Sequence, residues 1–343
     1  MANLDNLIKK LNSKFDTGEI KVGVAYTEID KIPFKSIRMN YMTYGGIPVG
    51  RLCEFSGADG SGKTTTALDV VASAQKKFPD RRVLFCDIES TFDSNWASKI
   101  GVDIDNIILY RPDSQDAEEV LQSLLDLMDT GEISLVVIDS IGAMVSGQQN
   151  EKELSERTYG GISMPLTTFS KKAIGVCARN SCTLIAINQI RDDMNSAYGG
   201  TVTTGGRAWR HDCSTRIEFR KGNYIDEKGN KLSQKCENPV GNIVNAHLIK
   251  SKVCPPDRKV AEYTINYMNG IDFSSDLVDM CVKMEIIVQA GPWYSIIDKE
   301  TGEVISLNDK LMKFQGRASL IEYINNCEEL YDLLCKQVEE SIK

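Results

Sequence analysis

The chain has 343 residues, 42% of them hydrophobic and 26% charged, which is the make-up of a folded protein and excludes a disordered chain. Its formal net charge of −8 excludes a generally basic, sticky surface but leaves room for a local basic channel that binds phosphates. Ten cysteines without a Cys-x-x-Cys pair and two histidines, His211 and His247, exclude a zinc framework or a disulfide scaffold and fit a reducing cytoplasm.

The first residues, MANLDNLIKKLNSKF, hold no uninterrupted apolar stretch, so neither a secretory signal nor, anywhere along the chain, a membrane span is expected. Leu4, Leu7, Ile8, Leu11 and Phe15 recur at helical spacing and predict an amphipathic helix over the first twenty residues, packed on its own domain or on a neighbour. From about residue 50 strands and helices alternate. Apolar runs at 52–55, 83–86, 107–109, 135–138 and 184–187 read as strands buried on both faces. Helices at 62–78, 115–129 and 163–179 supply the crossovers of a mostly parallel α/β sheet. After residue 212 strand follows strand (STRIEFR, VNAHLIKSK, AEYTINYM), as in an antiparallel extension of the same sheet. Residues 269–343 change character again, with a helix after NGID, a hairpin around AGPWYSII and DKETG, and a helix over 319–335. The expected division is therefore 1–35, a helix and linker; 36–268, the α/β core; and 269–343, a small α+β domain.

Between the first core strand and its helix stands GADGSGKT, residues 57–64, which fits G-x-x-x-x-G-K-[ST]. Gly57, Ala58, Asp59, Gly60, Ser61 and Gly62 curl so that backbone N–H groups face phosphates, Lys63 reaches the β- and γ-phosphates, and Thr64 ligates Mg²⁺ at a helix N-terminus. The run Leu135–Ile138 delivers Asp139 to the C-terminal edge of the sheet, where it would hold Mg²⁺ through water. A third strand, VLFCDIE, ends in Asp87 and Glu89. Either carboxylate, on spacing alone, could activate water for hydrolysis of the γ-phosphate, the chemistry of a motor-like ATPase rather than a small-molecule kinase.

GADGSGKTT, LFCDIESTFD, LVVIDS, LIAINQIR, VTTGGRAW, LIKSKVCPP and LVDMCVK with AGPWYS stand in the order and spacing of the RecA recombinases, and the chain resembles that family over nearly its full length. The resemblance implies a RecA-like ATPase core that binds ATP and Mg²⁺, with Glu89 as the catalytic carboxylate and Gln189 as sensor of the γ-phosphate. It places Thr65, Asp93 and Trp96 at the nucleotide, with Trp96 stacked on the adenine, and Lys250 and Lys252 on the ATP of the adjacent subunit. It makes the N-terminal helix a docking arm in a helical homo-oligomeric filament.

It also implies two DNA-binding loops, about 151–163 and 190–206, for single- and double-stranded DNA. Thr158, Tyr159 and Gly160 belong to the first, followed by Thr167 and Lys171. Arg191, Tyr198, Gly205, Gly206 and Arg207 belong to the second, whose Gly/Thr/Ser/Asn composition reads as loop until phosphates order it. Loading mediators or a repressor stand as further partners. The implied function is a DNA-dependent ATPase for homologous pairing and strand exchange; a ring-forming helicase and a non-catalytic ATP-binding mediator are the alternatives. Met164 in place of an expected arginine, Asp192 and Asp193 in the second loop, His211 in place of a phenylalanine and the lack of a long acidic tail depart from the family pattern. They are what a divergent or phage-encoded member would carry.

Overall fold

The computed structural model describes residues 2–14, 20, 29–114, 116–147, 161–192, 201–227, 231–233, 236–298 and 301–342. By its internal contacts the chain divides at Asp30–Lys31. The first unit holds helix α1 (Ala2–Lys14), behind which Asn12 exchanges two hydrogen bonds with Ile20.

The second unit is built on one sheet. Its strands are β1 (Leu52–Gly57), β2 (Arg82–Asp87), β3 (Ile107–Tyr110), β4 (Ile133–Asp139), β5 (Thr183–Asp192), β6 (Thr215–Ile225), β7 (Gly241–Ser251), β8 (Val260–Asn266) and β9 (Gly270–Ile271). They lie in the order β9-β8-β7-β6-β1-β5-β4-β2-β3. From β6 to β3 all neighbours are parallel, and from β6 to β9 all are antiparallel.

The central parallel strands β1, β2, β4 and β5 are mostly apolar on successive residues because both faces are covered. Phe55, Phe85, Val137 and Ile185 face a core shared with α3 (Lys63–Lys77), while Leu52, Leu84, Val136 and Leu184 face a second core under α5 (Ala117–Asp129) and α6 (Ser163–Asn180). The short helices α2 (Ile37–Thr43), α4 (Ser94–Ile100) and α7 (Gly206–Asp212) fill the connections. Asp116 caps α5 by accepting from the N–H groups of Glu118 and Glu119, which sets the start of that helix at Ala117.

Three expectations are corrected. β3 is not buried on both faces: it is the sheet's outer strand, with Ile108 37% and Leu109 38% exposed. The 190–206 segment is not loop throughout, since Thr201–Thr203 pairs antiparallel with Ile190–Asp192 and joins the two roots; a T-V-T run suits a strand. The helix expected over 319–335 is two, α9 (Arg317–Asn325) and α10 (Glu328–Ile342). The buried positions explain the break: Leu320 and Ile324 are four apart, as are Leu330, Leu334 and Val338, but the six-residue step from 324 to 330 leaves the helical stripe.

These helices, α8 (Phe273–Lys283) and a small sheet of Ile287–Ala290, Trp293–Ile296 and Lys313–Gln315 enclose a third apolar core. A buried polar joint ties it to α2. The Asp276 carboxylate accepts from the Ser36 hydroxyl and pairs with Arg38 Nε at 3.1 Å, and Arg38 and Arg317 each reach Asp279 at 2.9 Å.

Burial pushes the Asp276 carboxyl up to about 7. The folded state thus keeps a proton that the unfolded chain releases near the ordinary carboxylate value. The stability this contributes is fully present below about pH 4 and is lost as pH rises through 7. An Asp276→Asn protein should therefore gain on the parent by on the order of 2 kcal/mol between pH 5 and pH 7.5. Urea unfolding of both proteins at the two pH values measures the gain; parallel curves would contradict it.

Candidate nucleotide-binding and catalytic site

The 57–62 loop joins β1 to α3 at the C-terminal edge of the sheet, and two of its glycines are required by close neighbours. A Cβ on Gly57 would lie 2.3 Å from the Phe219 carbonyl oxygen, and one on Gly62, whose φ is +94°, 2.9 Å from Ile265 Cδ1. Lys63 is buried, and its ammonium donates to the loop's own carbonyls, Gly57 O at 3.0 Å and Ala58 O at 2.8 Å. Burial lowers its pKa, with Asp59, Asp139 and Glu89 working in the opposite direction. The Ser61 hydroxyl is buried without a hydrogen-bond partner. A buried cation, an orphaned hydroxyl and the N-terminus of a 15-residue helix together fit a polyphosphate.

Behind the loop, Thr64 Oγ1 donates to Asp139 Oδ2 at 2.7 Å, and burial pushes the Asp139 carboxyl up to about 6. A hydroxyl beside one buried carboxylate could supply the protein share of a Mg²⁺ site, with phosphate oxygens and water completing it. Among the described residues there is no cluster of three or more His, Cys, Asp or Glu that would hold a metal by itself.

The two acids left open by spacing differ sharply here. Asp87 is buried and committed: it accepts from the N–H groups of Thr91 and Phe92 and pairs with Arg111 Nε at 2.9 Å. Glu89 is exposed, and its Oε1 accepts from Ser140 Oγ at 2.5 Å and from Gln189 Nε2 at 3.4 Å. Glu89 thus sits between the Asp139–Ser140 strand end and the end of β5.

Gly60–Thr65 line a cleft of about 250 Å³ with Trp96, Asn242, Ile265 and Tyr267. Trp96 Nε1 donates to Thr65 Oγ1 at 3.3 Å, which fixes the indole beside the loop. Asp93 is the N-cap of α4, accepting from Asn95 and Trp96 N–H, so its carboxylate holds the helix that carries Trp96. Asn242 and Tyr267, joined by a 3.0 Å hydrogen bond, escaped the sequence reading because antiparallel strands far along the chain bring them in.

Thr158, Tyr159, Gly160 and Tyr198 lie outside the described residues, as does Asp193. Arg191 is exposed at the end of β5, beyond Gln189. Gly205 and Gly206, with φ of +99° and +73°, turn the chain into α7, where Arg207 is exposed. On α6, Lys171 is exposed, whereas the Thr167 hydroxyl is spent on the Ser163 carbonyl of its own helix. Met164 is 74% exposed. Lys250 donates to the carbonyls of Arg210 and His211 at the end of α7, and Lys252 is exposed. Both lie at the opposite edge of the sheet from the phosphate loop, since Ser251 pairs with Thr215 and Thr215 with Cys53.

A model of the RecA N-terminal domain matches residues 2–272. The chain belongs to the RecA family. It is 33% identical to Protein RecA of Lactobacillus acidophilus over 99% of this chain and 88% of that one. It is also 33% identical to Protein RecA of Acholeplasma laidlawii over 99% and 96%, and 31% identical to that of Aquifex pyrophilus over 99% and 92%. Recombination by a DNA-dependent ATPase is the function that membership in the RecA family carries, and the ring-helicase and mediator readings are not favoured.

One buried group in this RecA-family chain was only partly legible in the sequence. Glu54, read there as part of an apolar run, is fully buried in β1. Its Oε1 accepts from Asn188 Nδ2 at 2.8 Å and from Trp209 Nε1 at 3.0 Å, and its Oε2 pairs with Arg216. Alternation along the strand does flag position 54, between Cys53 and Phe55 of the other face, but not what satisfies it.

Proposed function

We propose that this chain binds ATP with Mg²⁺ in the Gly57–Thr65 cleft, assembles as a helical filament on single-stranded DNA, and uses turnover to control pairing and strand exchange with duplex DNA. Lys63 would neutralise charge on the β- and γ-phosphates, and Thr64 and Asp139 would hold the metal, which screens the phosphate charge. Glu89 would take a proton from the attacking water while Ser140 and Gln189 orient its carboxylate. The adenine would pack against Trp96 in the helix that Asp93 caps.

The observation that carries the reading is the Gln189–Glu89 contact of 3.4 Å. Gln189 belongs to the strand that runs on to Arg191 and to the ladder with Thr201–Thr203, so whatever orders that hairpin acts on the residue touching the proposed base. Thr167, Lys171, Arg191, Gly205, Gly206 and Arg207, with Thr158, Tyr159, Gly160 and Tyr198, are the proposed DNA contacts. Lys250 and Lys252 stand toward the far edge of the sheet from their own Gly57, across at least three residues of β1, or about 10 Å. A phosphate within their reach would belong to another copy, which supports ATP at a subunit interface.

On this reading 1–35 is the docking arm, 36–268 the ATPase core and 269–343 the accessory domain, in a protein of the cytoplasm. Among the described residues no helix is long and apolar enough to cross a membrane. Electron microscopy of the protein on single-stranded DNA with a slowly hydrolysed ATP analogue tests the assembly. Open helical filaments are expected; closed hexameric rings would overturn it.

A further inference from the structure

The residues that follow the 190–192 ladder back into the core converge on one side chain. Asn188 Nδ2, besides meeting Glu54, donates to the Thr204 carbonyl at 2.9 Å. Arg216, held by Glu54, reaches Thr203 Oγ1 at 3.3 Å. Trp209, the third donor to Glu54, belongs to α7, which begins two residues after Thr204. A single buried carboxylate therefore gathers three donors whose other contacts or positions define where the chain returns from the second loop. Asn188 is also the residue before Gln189, and successive strand residues face opposite sides of a sheet. One end of this pair holds the returning chain and the other faces Glu89.

We propose that Glu54 is a positioning residue for the DNA-dependent step: through Asn188 and Arg216 it anchors Thr203–Thr204, so that order imposed on the hairpin is transmitted to Gln189 rather than lost in slack. This rests on the recombinase reading above. The chemistry is specific to a carboxylate. A charged acceptor satisfies two N–H donors and a guanidinium together, whereas an amide in its place turns an NH₂ toward groups that themselves only donate and removes the partner charge of Arg216. Glu54 lines no part of the nucleotide cleft, so the loss falls on coupling and not on ATP binding.

The test is steady-state ATP hydrolysis by the full chain, with and without single-stranded DNA, for the parent, Glu54→Gln and Trp209→Phe. Glu54→Gln should keep the KM for ATP within about twofold while the ratio of DNA-stimulated to DNA-free turnover falls about tenfold. An unchanged ratio with a stimulated parent overturns the proposal alone. A parent that DNA does not stimulate overturns the recombinase reading and this proposal with it. Should Glu54→Gln fail to fold, Trp209→Phe decides, because it keeps the ring packed and removes one donor. A fall of about threefold at constant KM supports the assignment, and an unchanged ratio overturns it.

Discussion

A Lys63→Ala protein is expected to hydrolyse ATP about 10²–10³-fold more slowly than the parent, and to lose assembly on DNA with it. The ammonium is buried at the mouth of α3, with two carbonyls of its own loop as partners. A cation held in that environment gives up little solvation when a phosphate replaces the carbonyls, so its charge is delivered where charge develops. Removing it leaves Asp59, Asp139 and Glu89 around the phosphates without the nearby cation that opposes them. Because these acids repel a triphosphate, nucleotide affinity should fall together with turnover. Equilibrium binding of a fluorescent ATP analogue alongside turnover checks both. Unchanged turnover would remove the phosphate assignment.

Glu89→Gln is expected to behave differently. Turnover should drop about 10²–10⁴-fold, while nucleotide binding and filaments on DNA survive. Glu89 is exposed beyond β2 and carries none of the loop's structure, and glutamine still accepts from Ser140 and Gln189 but cannot take a proton from water. Asp87→Asn is the control. Its carboxylate holds the turn through Thr91 and Phe92 N–H and pairs with Arg111, so the loss should appear as weaker folding rather than as a folded, inert enzyme. Should Asp87→Asn instead fold normally and bind ATP without turning it over, the roles of the two acids would be exchanged.

What the sequence makes legible follows from how each feature is encoded. Strands β1, β2, β4 and β5 announce themselves because helices cover both faces and most positions are apolar, and the phosphate loop because its chemistry is contiguous. The outer strand β3 carries the same apolar run and yet is half open; position in a sheet is set by which strands the crossovers bring together, which local composition does not encode. The division of the last helix is legible in the six-residue step between Ile324 and Leu330, although the apolar spacing on either side of it is helical.

The site divides in the same manner. Lys63, Thr64, Asp139 and Glu89 each end or follow a recognisable strand. Asn242 and Tyr267 reach the cleft through antiparallel pairing that no local pattern specifies. Glu54 carries one more lesson. A lone acid within an apolar strand reads as noise until the three donors that meet it, from residues 188, 209 and 216, are brought together by folding.

The measurement that bears most directly on the central claim is ATP hydrolysis by the purified protein, titrated with single-stranded DNA. If the end of β5 joins DNA to Glu89 through Gln189, turnover rises steeply with DNA and saturates as the strand is coated. A basal rate that DNA leaves unchanged would contradict the account, since the ATP site would then work without reference to the nucleic acid it is proposed to remodel.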